Sequence, residues 1–165
     1  MSPTDKPNFV YVTYIRASQA AVWAALTDPD FTAKYWGGTR LEADWRVGGK
    51  VALVDPTRGG TDSGEVLAWD PPNGLAYSFH VTFDPVFAAE GPSRVSYALE
   101  PMGEVIKLTL THDRFPPDSK VLVAVSHGWP SILSSLKSLL ESGEALPGGD
   151  IEAARKAASA RARAG

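Results

Sequence analysis

The stretch HGWPSILSSLKSLLESG, residues 127–143, decides the fold, because it carries the apolar face of one long helix. Its large apolar residues recur at helical spacing: Trp129, Ile132, Leu133, Leu136 and Leu140. Ser and Lys occupy the opposite side, which is typical of a helix that lies on a hydrophobic core. With the preceding DSKVLVAVS, the pattern predicts a helix from a cap at Asp118 or Ser119 to a stop at Gly143.

A proline lies inside this predicted helix. Pro130 has no backbone N–H, and its ring crowds the carbonyl group of Ser126. We therefore expect the helix to kink or restart beside Trp129, so that it curves along a twisted sheet and points the indole inward. In the alternative, Trp129 plugs one end of the core and Pro130 merely shapes it. In both cases the apolar stripe faces a sheet.

Alternation of apolar and polar residues predicts the sheet that this helix covers. The candidate strands are 9–15, 39–44, 50–55, 64–70, 74–83, 94–101 and 104–112. Turn sequences rich in Gly, Pro, Asn and Asp separate the last six. The alternation is clean from Leu75 to Val81 and from Ile106 to His112, so we expect antiparallel strands with one buried face.

Two short helices are predicted between the first and second strands. Ser18 is a good N-cap for QAAVWAALT, because its hydroxyl can accept a hydrogen bond from the first turn. Asp28 is placed to cap the next segment, and Pro29 suits the first helical position, where its missing N–H is no loss. We interpret Asp28 and Asp30 as capping residues rather than metal ligands.

The order of these elements predicts one α+β domain. In it, a curved antiparallel sheet of six or seven strands wraps around the long C-terminal helix. A helix of this length spans roughly 35 Å at about 1.5 Å per residue, which is the width of a small domain. We expect an N-terminal extension at 1–8, the domain at 9–146 and a flexible Ala/Arg-rich tail at 147–165.

Composition limits the classes of function. The chain has 165 residues, a formal net charge of -3 and no cysteine. The weak net charge does not indicate a nucleic-acid partner or stable membrane association. The lack of cysteine excludes disulfides and thiolate chemistry. With no apolar signal segment in the sequence, we expect a cytoplasmic protein.

Five short motifs occur in a characteristic order: VWAALTDP, WRVGGKV, SGEVLAWDPPNGLAYSF, LTLTHDRF and GWPSILSSLKSLLESG. From about residue 9 to 146 the chain resembles the activator-of-Hsp90-ATPase-like proteins of the START/Bet v 1-like (SRPBCC) superfamily. The resemblance implies a helix-grip fold with a cavity between sheet and C-terminal helix, often used for an apolar ligand. The segment GEVIKLTLTH departs from the Gly-Thr-rich turn common in such proteins, and the basic tail lies outside the pattern.

Aromatic residues supply most of the candidate ligand site. The residues expected to line it are Tyr11, Trp36, Trp45, Tyr77, Phe79, His112, Trp129 and Leu133. Tyr11, Tyr77 and Phe79 fall on strand faces that we take as inward. Trp36 and Trp45 flank the two short helices, where we expect the cavity mouth. A solid aromatic core is the alternative to an open cavity, and the sequence leaves both open.

The three histidines show no metal-ligand spacing, and we predict neither a metal site nor a cofactor. His80 alternates onto the outer face of its strand, and His127 falls on the helix surface. His112 belongs to the inward-facing set and should meet the long helix near Trp129, either as a satisfied structural histidine or as an acid/base group. No motif of a nucleophilic serine is present, so we name no catalytic residue.

Three functions remain open at this stage. The first is binding of a hydrophobic small molecule, lipid or polyketide-like, without catalysis. The second is a cyclase-, aromatase- or hydrolase-type enzyme, which the resemblance implies for some relatives, with His112, Tyr11 and Tyr77 as acid/base candidates. The third is regulation of an Hsp90-type chaperone ATPase. The eukaryotic activators carry an additional N-terminal domain, whereas this chain begins at its first strand, so we expect ligand binding ahead of that role.

Overall fold

The computed structural model describes residues 8–55, 61–82 and 84–146, with the side chains of 61–63 excepted. The tail expected at 147–165, and all but the last residue of the extension expected at 1–8, lie outside the described residues.

Seven antiparallel strands form one curled sheet, as the sequence predicts. They are β1 (Phe9–Ile15), β2 (Arg40–Ala43), β3 (Lys50–Val54), β4 (Thr61–Asp70), β5 (Gly74–Phe79), β6 (Ser93–Met102) and β7 (Val105–Asp113). Their order across the sheet is β1-β7-β6-β5-β4-β3-β2. The strands that follow one another along the chain from β2 to β7 are neighbours, and β1 pairs with β7. This meander places the middle of the sheet opposite the C-terminal helix.

The two predicted short helices are α1 (Gln19–Thr27) and α2 (Pro29–Tyr35). Both caps are confirmed: the Ser18 side chain accepts a hydrogen bond from the amide of Ala21, and the Asp28 carboxylate accepts one from the amide of Asp30. Asp30, which we also interpreted as a capping residue, lies in the first turn of α2 and forms an ion pair with Arg40 at 2.7 Å instead. Asp28 is both the C-cap of α1 and the N-cap of α2, so it sets the corner between the two helices.

The segment after β5 differs from the prediction. The strand expected at 74–83 ends at Phe79, and a one-turn helix, α3 (Pro85–Ala88), follows. Asp84 caps this turn through the amide of Val86, and proline occupies its first position. The apolar alternation continued past Phe79, but an Asp-Pro pair is a helix-start signal, and local capping prevails over the strand pattern here.

The long helix α4 runs from Lys120 to Ser142, with Ser119 as its N-cap. It ends at Gly143, whose φ of 86° is the left-handed conformation that glycine adopts readily. The helix passes through Pro130 without interruption, so it does not restart at this position, and the alternative that it kinks beside Trp129 stays a prediction. The inward direction of the apolar stripe is confirmed, because Trp129, Leu133 and Leu136 are at most 1% exposed.

Register places the predicted inward residues on the same side of the sheet. His112 lies opposite Phe9 on β1 and opposite Val95 on β6. Tyr77 on β5 lies opposite Val95 as well, and opposite Val66 on β4. All of these except the half-buried Phe9 are buried. The face towards α4 is therefore one continuous apolar surface that carries a few polar atoms.

Candidate functional site

Aromatic rings from four elements meet at Trp129 on the inward face of α4. Its indole lies 5.1 Å, centroid to centroid, from the Trp36 ring at the end of α2. The rings of Phe79 and Tyr97 lie 6.4 Å and 6.5 Å from it. Tilted and edge-on arrangements of this kind stabilise a cluster beyond its buried area. The rings contact one another, so the centre of the candidate site is densely aromatic.

A chain of hydrogen bonds runs through this aromatic cluster. The Trp129 Nε1–H donates to His112 Nδ1 at 3.0 Å. His112 Nε2 lies 2.7 Å from the Ser93 hydroxyl, which in turn donates to the carbonyl oxygen of Phe79 at 3.1 Å. Because an indole nitrogen only donates, Nδ1 must accept, and the ring proton of neutral His112 sits on Nε2. Every polar atom of the chain is then paired.

This arrangement decides the chemistry of His112. Burial lowers the pKa of the imidazole to about 3, although the Asp113 carboxylate acts in the opposite direction. A proton added at Nδ1 would face the indole N–H, donor against donor. Since Nε2 already carries a proton, the ring also has no free lone pair with which to remove the proton of Ser93. His112 is placed as a neutral structural group rather than as a general base.

A second polar group in the interior consists of three tyrosine hydroxyls. Tyr35 donates its proton to the carbonyl oxygen of Ala25 at 2.9 Å. Among the described residues, the Tyr77 hydroxyl is the buried side-chain oxygen that has no hydrogen-bond partner. Burial raises the pKa of Tyr77 well above its ordinary value, and the nearby Tyr97 and Tyr35 hydroxyls raise it further. The Tyr97 hydroxyl lies within weak hydrogen-bonding range of the Tyr77 hydroxyl, and this contact also raises the Tyr77 pKa. The distance and angles between the two hydroxyls fall short of a full hydrogen bond, which leaves the Tyr77 oxygen without a well-formed partner.

The structure separates the two tryptophans that we expected at a common mouth. Trp36 is 2% exposed and packs on Trp129 inside the domain. Trp45 instead stacks on Trp69 at 5.1 Å, and Trp69 contacts Trp23 at 5.2 Å. The three members of this second cluster are half-buried, and Trp45 donates its indole N–H to the carbonyl oxygen of Thr27 at 3.2 Å. The second cluster joins the end of α1 to the β2–β3 connection.

The remaining predicted residues lie along α4 and β1. Leu133 is fully buried on the helix face towards the sheet. Tyr11 is half-buried, with its hydroxyl 3.5 Å from the Ser134 hydroxyl and its ring stacked on Phe9. Tyr11 therefore lies at a different part of the helix from Trp129, nearer to the C-terminal end of α4. The central group is Trp36, Tyr77, Phe79, His112, Trp129 and Leu133.

A carboxylate from the loop after α3 closes the domain at the start of α4. Glu90 accepts hydrogen bonds from the Ser119 hydroxyl at 2.6 Å and from the backbone amide of Lys120 at 2.7 Å. Unpaired amides at a helix N-terminus attract negative charge. Glu90 therefore fixes the loop between β5 and β6 to the start of α4.

Three polar residues of the interior were not predicted: Tyr35, Ser93 and Tyr97. Tyr97 alternates with Val95 and Leu99 on β6, so the same period of two that identified Tyr77 could have identified it. Ser93 stands one residue before the predicted strand, and Tyr35 ends a short helix. Their contacts depend on the register between β5 and β6 and on the corner between α1 and α2, which no local pattern reports.

Within residues 8–55, 61–82 and 84–146, no group of three or more His, Cys, Asp or Glu side chains could hold a metal ion. No helix in this part of the chain is both long enough and apolar enough to cross a membrane.

Solved structures with the same architecture define the class as a helix-grip fold. The Aha1 dimer of Colwellia psychrerythraea is 21% identical, with a TM-score of 0.68 over 84% of this chain and 98% of that one. Protein MLL2253 of Mesorhizobium loti is 26% identical, with a TM-score of 0.71 over 82% and 97%. CalU16 of Micromonospora echinospora is 24% identical, with a TM-score of 0.66 over 95% and 86%.

The family itself follows from the sequence of the domain. The profile described as "Activator of Hsp90 ATPase homolog 1-like protein" matches residues 16–141, which is most of the chain. The chain therefore belongs to the activator-of-Hsp90-ATPase-homologue-1-like family, and the predicted resemblance is confirmed. No curated protein matches the sequence significantly.

Proposed function

We propose that this protein binds a hydrophobic small molecule, lipid or polyketide-like, between the curled sheet and α4. The observation that carries the proposal is the Tyr77 hydroxyl, which is buried in a mainly apolar interior without a full hydrogen-bond partner. A buried hydroxyl left unpaired costs about 1–3 kcal/mol, and proteins rarely retain such a group without a use for it. The ligand site consists of Trp36, Tyr77, Phe79, Trp129 and Leu133, with His112 beside it.

The geometry favours binding over catalysis. An acid/base histidine needs a pKa near neutrality, whereas burial lowers that of His112 to about 3. Burial and the neighbouring hydroxyls raise the pKa of Tyr77 well above its ordinary value, so its proton is retained. Both groups suit recognition of a neutral ligand. We place the protein in the cytoplasm, in keeping with its lack of cysteine.

Titration with N-phenyl-1-naphthylamine, a neutral apolar dye that fluoresces in dry sites, tests this proposal. Leu133→Phe adds bulk on the buried face of α4, and Val123→Phe adds the same bulk on its exposed face, where Val123 is 54% exposed. We expect saturable binding to the native protein, weaker binding to Leu133→Phe and unchanged binding to Val123→Phe. Equal binding by all three proteins would place the dye on the surface and contradict the proposal.

Regulation of an Hsp90-type chaperone is a second candidate, and the family description favours it. This role needs a protein surface rather than a ligand. If the protein has this role, it raises the ATPase rate of an Hsp90-type chaperone, and the Leu133→Phe variant raises that rate to the same extent as the native protein. An unchanged ATPase rate at saturating concentration would exclude it.

A further inference from the structure

The environment of Tyr77 restricts the chemistry of the ligand that we propose, and the following inference rests on that proposed function. Tyr77 is fully buried, and its hydroxyl has no partner among the described residues. The nearby Tyr35 hydroxyl already donates to the carbonyl oxygen of Ala25. The Tyr97 hydroxyl is in weak contact with Tyr77 but forms no full hydrogen bond with it. A ligand acceptor beside Tyr77 would therefore meet a hydroxyl whose hydrogen bonding is incomplete.

The hydroxyl of Tyr77 acts as a donor towards such an atom. Burial and the neighbouring tyrosines raise its pKa, so the proton stays in place throughout the physiological range. A hydroxyl that keeps its proton in an apolar interior is stabilised most by an acceptor oxygen.

The surroundings select a neutral molecule. The groups that shift the Tyr77 pKa are two other tyrosines, Tyr97 and Tyr35, both without charge. The one histidine of this interior, His112, is held neutral by burial. No Lys or Arg is among the buried residues of the described part of the chain. A carboxylate or phosphate placed here would lose its hydration without meeting one of them, and that loss outweighs one hydrogen bond.

The neighbouring rings select an aromatic or otherwise flat ligand. Trp36, Phe79 and Tyr97 are arranged around Trp129 at centroid distances between 5.1 Å and 6.5 Å. The rings now contact one another, so a ligand has to enter between them. A flat ring keeps the offset-stacked or edge-on contacts that this cluster already makes.

The geometry points to Tyr77 as the group that selects the ligand: a neutral, flat, mainly apolar molecule whose carbonyl oxygen accepts the proton of the Tyr77 hydroxyl. This is a requirement on one atom of the ligand, and it distinguishes carbonyl compounds from hydrocarbons of the same shape.

Fluorene and 9-fluorenone form a matched pair of probes, because they share a flat ring system and differ by one carbonyl oxygen. Their dissociation constants are measured by displacement of N-phenyl-1-naphthylamine from the native protein and from Tyr77→Phe. Tyr14→Phe is the control, since it removes a hydroxyl from a side chain that is 47% exposed on the outer face of β1. Circular dichroism verifies that each variant is folded.

We expect Tyr77→Phe to weaken fluorenone binding about fivefold, the effect of one net hydrogen bond, and to leave fluorene binding unchanged. Tyr14→Phe should change neither. If both probes bind and Tyr77→Phe affects neither or both equally, the selective role of Tyr77 is overturned while the proposed function stands. If neither probe nor the dye binds the native protein, both proposals fail. If Tyr77→Phe does not fold, Tyr97→Phe is measured in its place. Weaker binding of fluorenone alone to Tyr97→Phe would mean that the Tyr97 hydroxyl contacts the carbonyl oxygen, and would overturn the assignment to Tyr77.

Discussion

His112 is held between an indole N–H and a serine hydroxyl, and this placement fixes both its tautomer and its charge. The sequence predicted that His112 faces inward and meets the helix near Trp129, and the 3.0 Å bond between them confirms it. The alternation along β7 was sufficient for that prediction. The partner Ser93 was not predicted, because it reaches His112 through pairing between strands whose register the local pattern does not contain.

The buried imidazole predicts acid sensitivity. Above a pH of about 6.5, the ordinary pKa of histidine, His112 is neutral in both the folded and the unfolded chain and adds no pH dependence. Below it, the unfolded chain binds a proton that the folded chain, with a pKa of about 3, does not. The free energy of unfolding therefore decreases as the pH is lowered from about 6.5 towards about 3, by about 1.4 kcal/mol per pH unit.

Urea unfolding near pH 7 and near pH 5 measures this effect. Between pH 7 and pH 5, the free energy of unfolding of the native protein should fall by about 2 kcal/mol more than that of His112→Gln. Glutamine keeps an amide that can bond to Ser93, but it does not titrate. All other titrating groups are common to the two proteins, so their contribution cancels in the comparison. An equal decrease in the free energy of unfolding of both proteins would contradict the prediction, because it would mean that His112 has its ordinary pKa in the folded chain.

At the scale of the element, α4 shows what periodicity predicts and what it does not. The stripe, its inward face and the stop at Gly143 follow from apolar spacing and capping residues. The continuity of the helix through Pro130 does not follow, because the loss of one hydrogen bond to Ser126 is a local cost. The burial of Trp129 and its neighbours against the sheet stabilises the helix by more than that cost.

Pro130→Ala tests this explanation. Alanine restores an N–H that can bond to the carbonyl oxygen of Ser126 in a helix that is already continuous. We expect the free energy of unfolding to rise by about 1–2 kcal/mol, part of the interior cost of proline, as measured by urea unfolding. A fall in stability would show that the helix needs a bend imposed by Pro130.

The contact between Glu90 and α4 makes a separate prediction for this element. Glu90→Ala removes the carboxylate that accepts from Ser119 and from the amide of Lys120. Since a lost cap costs about 1 kcal/mol, we expect the thermal midpoint to fall by several degrees. Glu100→Ala, at an exposed position of β6, is the matched control and should leave the midpoint unchanged. Equal midpoints for the two variants would mean that the Glu90 contact does not stabilise the start of α4.

At the scale of the whole molecule, the order of strands and helices in the sequence was enough to predict the fold class. The seven-stranded sheet around α4 confirms that prediction. The grouping of aromatic residues was harder to predict. Five tryptophans lie in the sequence, and the fold places Trp36 with Trp129 but Trp45 with Trp23 and Trp69. Which rings meet depends on the curvature of the sheet and on the position of α1 and α2, neither of which a strand or helix pattern encodes.

The composition of residues 147–165 supports one prediction at this scale, although they lie outside the described residues. The segment is rich in Ala and Arg and contains few large apolar side chains that could add to the core. Deletion of 148–165 should leave the thermal midpoint of the protein unchanged. A drop of several degrees in differential scanning calorimetry would show that this segment stabilises the domain.

The central claim is that the interior between the sheet and α4 holds a small molecule. Native mass spectrometry of freshly purified protein, followed by identification of what is released on denaturation, tests it most directly. We predict a mass above that of the chain and the release of a neutral, apolar compound that carries a carbonyl oxygen. A mass equal to the chain alone, together with no binding of dye, fluorene or fluorenone, would contradict the claim.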